Sequence, residues 1–455
     1  MPGARSAALK ALLRVEGQEG YSNLVLNAEL NAMGAGRPDR ALATTIFYGV
    51  LERRLTLDHI IGFFSRIPVK RLSPVVREIL RMGVYQIRYL EKIPDSAVVN
   101  ESVNLARKNG AARSAGFVNA VLRNFLRDPG RAVFPDKDSE PLRYRSLYYS
   151  CPEELISFWR SAYGESVTDG ILESLLRKPS IFARVNNTRV SEEQLIERLA
   201  QENIQAVSAP FPDNAVRFGT PGEFSGSAAY REGLFHIQDL PSQLCCSILD
   251  PSPGERVLDV CAAPGGKSFT LAERMGNRGE VLAFDKYEVR TELIRQGAER
   301  LGLSVVRAQA RDAADAQDNL PLADRVLCDV PCSGLGVIRR KPEIRYKFPS
   351  AIDSLPDLQY RILCRSSRLV KPGGLLVYST CTLNPAENSG VAGRFPEENP
   401  EFSPSPLRLP EPVRRMFPEP DNQLTLFPQT DGTDGFFIAA FRRGAPAVKP
   451  RRVVE

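Results

Sequence analysis

Residues 256–268 have the sequence RVLDVCAAPGGKS, which indicates the fold of the second half of this chain. The apolar run at 256–260 predicts a buried strand, and FTLAER at 269–274 predicts the helix that follows it. A glycine-rich turn between a strand and a helix lets a ligand approach the backbone closely, at the strand end where α/β folds bind ligands. The candidate ligand-binding loop consists of Cys261, Ala262, Ala263, Pro264, Gly265, Gly266 and Lys267.

This loop has two other interpretations. Adjacent glycines also occur in turns that only connect two elements. A phosphate-binding loop is excluded, because the GxxxxGK[ST] spacing is absent from this stretch. The turn by itself therefore leaves a ligand site and a plain structural turn open.

The remainder of the second half repeats the strand–helix pattern. Short apolar runs alternate with longer helical segments, which is typical of a parallel sheet with crossover helices. These runs are at 280–284, 304–308, 324–328 and 375–379. GFFIAAF at 435–441 is expected to add an edge strand, and the prolines and charges between 396 and 420 predict a surface loop.

Two carboxylates follow strands of this predicted sheet. Asp285 comes directly after VLAF, about twenty residues beyond the glycines, where an acid in such folds accepts hydrogen bonds from ribose hydroxyls. Asp312 follows the next strand and would lie at the same edge of the sheet. A carboxylate at a strand end is also a common helix cap, so either acid alone leaves both interpretations open.

Two of the eight cysteines also follow strands. Cys332 lies in DVPCSG and Cys381 in YSTCT, so both thiols are expected at the edge that carries the glycine-rich loop. Cysteine in general is among the most buried residues and behaves as a small hydrophobe. We apply that interpretation to Cys151, Cys245, Cys246, Cys328 and Cys364.

The first half contains a helical part and a mixed part. Apolar residues four apart, such as Val118 with Leu122, predict helices throughout residues 5–128. A capping-box pattern at Ser191 with Gln194 predicts a helix start in a small α+β module. We predict three domains: an all-α domain at 1–130, the α+β module at 142–235 and the α/β domain at 236–445.

Composition is that of a folded protein. Of the 455 residues 43% are hydrophobic and 25% are charged, as in soluble globular proteins. No apolar run reaches the roughly 20 residues of a membrane span, and the first residues show no signal-peptide pattern, so we expect a cytoplasmic protein without a membrane partner. Eight cysteines without CxxC spacing and two histidines predict no metal site.

Basic residues exceed acidic ones by 60 to 54, a net charge of +6. So small an excess is usually explained by a solvated surface, but part of it is clustered near Cys332. The cluster consists of Arg339, Arg340, Lys341, Arg345 and Lys347. It would suit the phosphates of a nucleic acid, with a solvated face as the alternative.

Three segments together carry a resemblance to a known family. CAAPGGKS, DVPCSGLGVIRRKPEIR and YSTCTLNPAEN resemble the signature blocks of the NOL1/NOP2/Sun family of RNA cytosine-5 methyltransferases, over roughly residues 235–442. The helical part is similar to a NusB-like RNA-binding domain, notably at 77–86 and 116–123. The two-part arrangement resembles the bacterial Sun/RsmB type, which methylates a cytidine of 16S ribosomal RNA. The resemblance implies a Rossmann-like class I methyltransferase domain with a mostly parallel seven-stranded sheet.

The resemblance also implies roles for individual residues. Cys381 would be the nucleophile that attacks carbon 6 of cytosine, Cys332 would assist loss of the carbon 5 proton and product release, and Asp329 would bind the polar edge of the base. Residues 261–267 would hold the methionine part of S-adenosylmethionine, Asp285 its ribose and Asp312 its adenine side, with Asp329 also counted among the cofactor-binding residues. Lys267 could instead contact a substrate phosphate. We expect a monomer that acts on ribosomal RNA.

Two residues depart from the family pattern, and several alternatives stay open. Thr382 and Ser389 stand where the family commonly has serine and glutamate. In DNA cytosine-5 methyltransferases the Pro-Cys cysteine attacks, which would exchange the roles of Cys332 and Cys381. The same chemistry could act on transfer RNA or 23S ribosomal RNA, and a non-catalytic ribosome-assembly factor is an alternative of another class.

Overall fold

The structure is a computed structural model of the chain. It describes residues 3–17, 22–34, 36–219, 224–315, 320–349, 354–417, 421–429 and 432–444. The limits predicted for the outer domains, residues 1 and 445, lie outside the described residues. By their contacts the residues divide into two compact units. The first unit is Met1–Lys178 with Ile338–Ser350, and the second is Pro179–Val337 with Ala351–Glu455.

The first unit is helical, as predicted. Its helices are α1 (Ala4–Glu16), α2 (Ser22–Met33), α3 (Arg37–Glu52), α4 (Arg54–Phe64), α5 (Pro74–Tyr89), α6 (Asp95–Lys108), α7 (Ala115–Arg127), α8 (Pro141–Tyr149) and α9 (Glu153–Ser174). Short 3-10 helices span Val69–Arg71, Ala112–Ser114, Pro129–Arg131 and Pro342–Tyr346. The predicted stripe of α7 is buried at Val118, Val121, Leu122 and Phe125. Among the described residues, no helix has the length and apolarity that crossing a bilayer requires.

The 3-10 helix Pro342–Tyr346 changes the interpretation of the basic cluster. Arg345 is 1% exposed and Arg339 is 6% exposed. The guanidinium of Arg345 donates to the main-chain oxygens of Ser150 at 3.2 Å and of Ile338 at 3.3 Å. The predicted phosphate contact is therefore wrong for these two arginines, because both side chains are buried and Arg345 binds main-chain oxygens inside the first unit. For Arg340, Lys341 and Lys347 it stays a prediction.

The second unit begins with a small antiparallel sheet, with the order β2-β3-β1-β4. Its elements are β1 (Phe182–Val185), α10 (Glu192–Gln201), β2 (Ala206–Ser208), β3 (Ala215–Phe218), a 3-10 helix Phe224–Gly226, α11 (Ala228–Arg231) and β4 (Phe235–Ile237). The predicted capping box is confirmed: Ser191 and Gln194 each bond the other's backbone at the start of α10. Residues 142–178 of the predicted module belong to the first unit. The predicted three-domain division stays a prediction.

The second unit continues with the predicted α/β fold. Its elements are α12 (Leu240–Leu249), β5 (Arg256–Asp259), α13 (Gly266–Arg274), β6 (Glu280–Asp285), α14 (Glu288–Leu301), β7 (Val306–Ala310), β8 (Ala323–Asp329), α15 (Leu355–Ser367), β9 (Val370–Thr380), α16 (Ser389–Glu398), β10 (Phe402–Pro404), α17 (Glu411–Met416), β11 (Gln423–Leu426) and β12 (Phe436–Arg443). Strands β7, β6, β5, β8 and β9 are parallel neighbours. The mostly parallel sheet is therefore confirmed.

The far side of this sheet differs from the prediction. Strand β12 was expected at the edge, but it lies between β9 and two short strands, β10 and β11, and all three pairings are antiparallel. The strand path has the predicted seven members, and β11 brings the sheet to eight. β10 and α17 lie within residues 396–420, where a surface loop was predicted. Strands of three or four residues among prolines leave too short an apolar pattern to recognise.

Candidate active site

The candidate site lies at the carboxyl ends of the parallel strands. Strand register places Asp259 beside Leu327 between β5 and β8, and Asp329 beside Ser379 between β8 and β9. Because all these strands run in the same direction, the loops that follow them leave the sheet at one edge. The glycine-rich loop and both cysteine loops therefore start from neighbouring strands, as predicted.

The glycine-rich loop needs its first glycine. Gly265 has φ +111° and precedes the first residue of α13. A Cβ atom there would lie 2.3 Å from the ring of Phe269, so both backbone conformation and space favour glycine. Gly266 is less crowded, since its Cβ atom would only touch Gln238 at 3.5 Å. The loop thus presents main chain, together with the start of a helix, to the edge of the sheet.

The two predicted cofactor carboxylates are held by cations. Asp285 Oδ2 lies 3.0 Å from Arg290 Nη1, and Arg290 Nη2 also donates to the oxygen of Ala263 at 3.0 Å. Asp312 Oδ2 lies 2.9 Å from Lys286 Nζ, and this hydrogen bond lowers the pKa of Asp312. The Asp285 side chain is 4% exposed, whereas that of Arg290 is 49% exposed. Both acids stay at the ends of β6 and β7, each with a solvent-accessible partner.

The two predicted thiols meet. Cys332 Sγ and Cys381 Sγ are 3.3 Å apart, and both cysteines are half-buried and form no disulfide. Of the five cysteines assigned to the core, Cys364 is half-buried and the other four are buried. The hydrogen bond with Cys381, followed by burial and the charges of Cys381 and Glu387, raises the pKa of Cys332 well above its ordinary value. Negative charge on a neighbouring thiolate or carboxylate therefore disfavours ionisation of Cys332.

Asp329 lies three residues before Cys332 in the sequence, and a lysine and a hydroxyl group hold its carboxylate. Lys267 Nζ lies 2.7 Å from Asp329 Oδ2, and Ser379 Oγ donates to Asp329 Oδ1 at 2.8 Å. Burial opposes the charge of Lys267, but its pairing with Asp329 outweighs burial and raises the pKa of Lys267. The glycine-rich loop is thereby joined to the cysteine loop by a charge-assisted hydrogen bond.

Backbone contacts lock the two cysteine loops together. The Gly336 amide donates to the oxygen of Cys381 at 3.0 Å, and the Gly435 amide donates to the oxygen of Gly336 at 2.9 Å. A Cβ atom on Gly336 would lie 2.0 Å from the oxygen of Gly435. Such a distance excludes any side chain, so this glycine is required by the close approach of three chain segments.

Glu387 also belongs to the site, although it is not among the predicted site residues. This side chain is fully buried, and its carboxylate accepts hydrogen bonds from the amide of Ser333 at 2.9 Å and from Gln359 Nε2 at 2.8 Å. Ser333 follows Cys332 directly, so the acid binds the loop of the other thiol. The available signal was Asn384-x-x-Glu387 directly after the Cys381 strand, a spacing that fits a hydrogen-bonded turn.

A second buried acid lies below the glycine-rich loop. Asp259 Oδ2 accepts a hydrogen bond from Ser268 Oγ at 2.7 Å. The residue is fully buried, and burial raises its pKa to about 7. Asp259 therefore titrates near neutral pH.

Comparisons with known proteins cover nearly the whole chain. Residues 246–442 match the family model described as 16S rRNA methyltransferase RsmB/F, residues 2–127 match the NusB family, and residues 151–225 match the RsmF/B-like ferredoxin-like domain. A Bacillus subtilis protein named probable ribosomal RNA small subunit methyltransferase B is 39% identical over 96% of this chain and 98% of its own. The Vibrio vulnificus ribosomal RNA small subunit methyltransferase B is 30% identical over 97% and 99%.

A solved structure agrees in fold as well. The crystal structure of the protein named PH0851 is 26% identical, covers 96% of this chain and 98% of its own, and superposes with a TM-score of 0.80. The likeness therefore extends over both halves of the sequence.

Proposed function

This chain belongs to the RsmB/F family of 16S rRNA methyltransferases, and we propose that it methylates carbon 5 of a cytidine in 16S ribosomal RNA, with S-adenosylmethionine as cofactor and Cys381 as covalent nucleophile. One observation carries the proposal: two half-buried thiols 3.3 Å apart lie beyond the strand ends that also carry Asp329 and the glycine-rich loop. Methylation of an exocyclic nitrogen or a ribose hydroxyl has no use for a thiol pair.

The thiols suit the chemistry of the pyrimidine ring. Carbon 5 of cytosine is a poor nucleophile, so a thiolate first forms a bond to carbon 6 and turns carbon 5 into an enamine carbon. In the proposed mechanism Cys381 supplies that thiolate. Carbon 5 then takes the methyl group, its proton is removed with the help of Cys332, and the bond between Cys381 and carbon 6 breaks.

Asp329 is proposed to hold the base during the attack. Adding a thiolate to carbon 6 places negative charge on the ring, which protonation of the ring and hydrogen bonds at its polar edge stabilise. Lys267 and Ser379 already fix both oxygens of this carboxylate, at 2.7 Å and 2.8 Å. The acid therefore needs little reorganisation to accept hydrogen bonds from the base.

The loop and strand ends fit S-adenosylmethionine, which supplies the methyl group when bound. Gly265 and Gly266 carry no side chain that would stand between the main chain and the methionine part. Asp285 is proposed to accept hydrogen bonds from the ribose hydroxyls and Asp312 to lie on the adenine side. Each carboxylate exchanges its present cation for these donors, and Arg290 and Lys286 are exposed enough to move aside.

The RNA itself must present an accessible base. Carbon 6 is hidden in a stacked duplex, so the target cytidine is single-stranded or turned out of the stack before attack. Exposed basic groups of the helical unit are proposed to grip the surrounding phosphates, which positions the RNA without reading its sequence.

The proposal is tested by product analysis. Purified protein is incubated with S-adenosylmethionine that carries a labelled methyl group, together with 16S ribosomal RNA lacking modifications. Nuclease digestion and mass spectrometry should identify the labelled nucleoside as 5-methylcytidine, and bisulfite sequencing should place it at one position. Cys381→Ala is the matched control and should give no label.

Other outcomes would decide against the proposal. Label in another nucleoside would refute carbon 5 chemistry. Label in transfer RNA or 23S ribosomal RNA but not in 16S ribosomal RNA would show that another RNA is the substrate. A folded protein that binds no S-adenosylmethionine in calorimetry would favour an assembly factor without catalysis.

A further inference from the structure

Glu387 has no role in the mechanism above, although it lies between the two cysteine loops. Its Oε1 atom accepts from Ser333 Oγ at 2.5 Å and Asn384 Nδ2 at 2.9 Å. Its Oε2 atom accepts from the Ser333 amide at 2.9 Å and Gln359 Nε2 at 2.8 Å. Four donors thus surround one fully buried carboxylate.

A buried carboxylate with four donors holds in place the chain segments that carry those donors. A buried charge is tolerated only when its oxygens are well satisfied, so displacing any of the four donors is costly. Ser333 directly follows Cys332, and Asn384 lies three residues after Cys381. Ser333 Oγ also shares a 2.6 Å hydrogen bond with Thr382 Oγ1. The distance between the two thiols is therefore set through Glu387.

The same carboxylate acts on the protons of the thiol pair. The titratable groups that face Cys332 are Cys381, Glu387 and the phenol of Tyr378. Negative charge on Cys381 or Glu387 disfavours a second negative charge on Cys332 and raises the pKa of Cys332. The charge of Glu387 therefore favours the protonated form of Cys332.

We propose that Glu387 is the positioning residue of the thiol pair, which holds the two cysteine loops in register and keeps the shared proton on Cys332, so that Cys381 attacks. This rests on the proposed function in one respect, the identity of the attacked base. The distance between the two thiols and their protonation are properties of the protein without RNA or cofactor.

The arrangement also gives the reaction an order. When Cys381 bonds to carbon 6, its charge and its hydrogen bond to Cys332 disappear together. Cys332 then ionises more easily, releases its own proton to solvent, and can take the proton from methylated carbon 5. The electrons of that C–H bond re-form the double bond between carbons 5 and 6 and expel Cys381 as thiolate.

The test follows each thiol separately without RNA or cofactor. Both cysteines are half-buried, so limiting iodoacetamide reaches them, and peptide mass spectrometry reports each rate between pH 6 and 10. In the wild type Cys381 should react at lower pH than Cys332. Glu387→Gln should lower the midpoint of Cys332 by about one pH unit and reduce the selectivity for Cys381 about tenfold, with a parallel fall in kcat.

Two variants serve as controls. Tyr378→Phe removes a hydrogen bond to the main-chain oxygen of Glu387 and keeps the carboxylate, so the selectivity should stay at the wild-type value. Glu387→Asp keeps the charge, so its Cys332 midpoint should lie closer to the wild-type value than the midpoint of Glu387→Gln does. A midpoint that is the same in Glu387→Gln and wild type would overturn the electrostatic role.

Ser333→Ala tests the positioning role even if Glu387→Gln does not fold. It removes one of the four hydrogen bonds and leaves the charge, so kcat should fall about tenfold while the Cys332 midpoint is retained. An unchanged kcat would overturn the positioning role. A wild type that shows the expected thiol selectivity but methylates no RNA would refute the proposed function and leave this inference standing.

Discussion

The two halves of the candidate site are held in different ways. The cysteine half, Asp329 with both thiols and Glu387, is fixed by hydrogen bonds among buried groups: Glu387, Gln359 and Thr382 are each fully buried. In the cofactor half, Asp285 and Asp312 are bound by Arg290 and Lys286, whose side chains are 49% and 59% exposed. The first half is set when the chain folds, and the second is held by ion pairs that water can replace.

This difference determines which part of the site a ligand can rearrange. Arg290 and Lys286 are exposed, and ion pairs at the surface contribute only about 0–1 kcal/mol. Asp285 itself is buried, so a nucleoside displaces its cation by supplying hydroxyl donors in exchange. Breaking a buried, fully bonded carboxylate costs several kcal/mol. We therefore expect variants in the cysteine half to slow or abolish chemistry and variants in the cofactor half to change the affinity for the cofactor.

The largest effect separates the two thiols within the cysteine half. Cys381→Ala should abolish turnover and give no covalent complex with RNA that contains 5-fluorocytosine. Cys332→Ala should still form the adduct and release it slowly, because its thiol acts after the attack. Denaturing gel electrophoresis of the trapped complex measures both. The opposite pattern would assign the attack to Cys332 and exchange the roles of the two loops.

A second large effect concerns stability at the buried end of β5. A raised pKa in the folded state stabilises the protein fully below the unfolded pKa of about 3.9, and that contribution is lost as the pH rises toward 7. For Asp259, whose pKa burial raises to about 7, three pKa units correspond to about 4 kcal/mol. Asp259→Asn resembles the neutral acid and should be the more stable protein at pH 8.

The measurement is calorimetric unfolding of both proteins at pH 4 and pH 8. The variant and the wild type should differ little at pH 4 and clearly at pH 8. Asp250→Asn is the matched control, since that carboxylate is 47% exposed and pairs with Arg274 at the surface. Parallel stability curves for Asp259→Asn and wild type would show that Asp259 is not the group that titrates.

The sequence predicts much of the cysteine half. Parallel strands bring their carboxyl ends to one edge, so Cys332 and Cys381 could be placed together from strand order alone. Choosing between them as nucleophile required the family resemblance. The role of Glu387 could not be predicted, because its partner Ser333 is 54 residues away and a hydrogen bond over that separation leaves no periodic pattern in the sequence.

Other misses have the same physical origin. The charged cluster predicts that Arg345 is a surface cation. A sequence pattern cannot show that main-chain oxygens accept hydrogen bonds from a buried guanidinium, as they do here. The pairing of Arg290 with Asp285 depends on how the first turn of α14 meets the end of β6. The fold class followed from local patterns, whereas these contacts depend on tertiary packing.

The third prediction addresses the cofactor half. Asp285→Asn keeps the shape of the side chain and removes its charge, so two charge-assisted hydrogen bonds to the ribose become weaker. Each is worth about 1.5–3 kcal/mol, and we expect the Kd for S-adenosylmethionine to rise about 10- to 100-fold with kcat nearly unchanged. Isothermal titration calorimetry measures the Kd. Glu288→Gln, an exposed acid on the same side of the fold, is the control and should leave it unchanged.

The smallest effect has the opposite sign. Arg290→Met frees Asp285 from the ion pair that the ribose must displace, so cofactor affinity should increase, by at most about fivefold because the Arg290 side chain is half exposed. Arg295→Met is the matched control, because Arg295 lies on the same helix and pairs with Glu288 and Glu292. In the Asp285→Asn background the gain should vanish, since no charge remains to compete for. A loss of affinity in Arg290→Met would instead mean that Arg290 contacts the bound cofactor, and the cofactor half would then be as preorganised as the thiols.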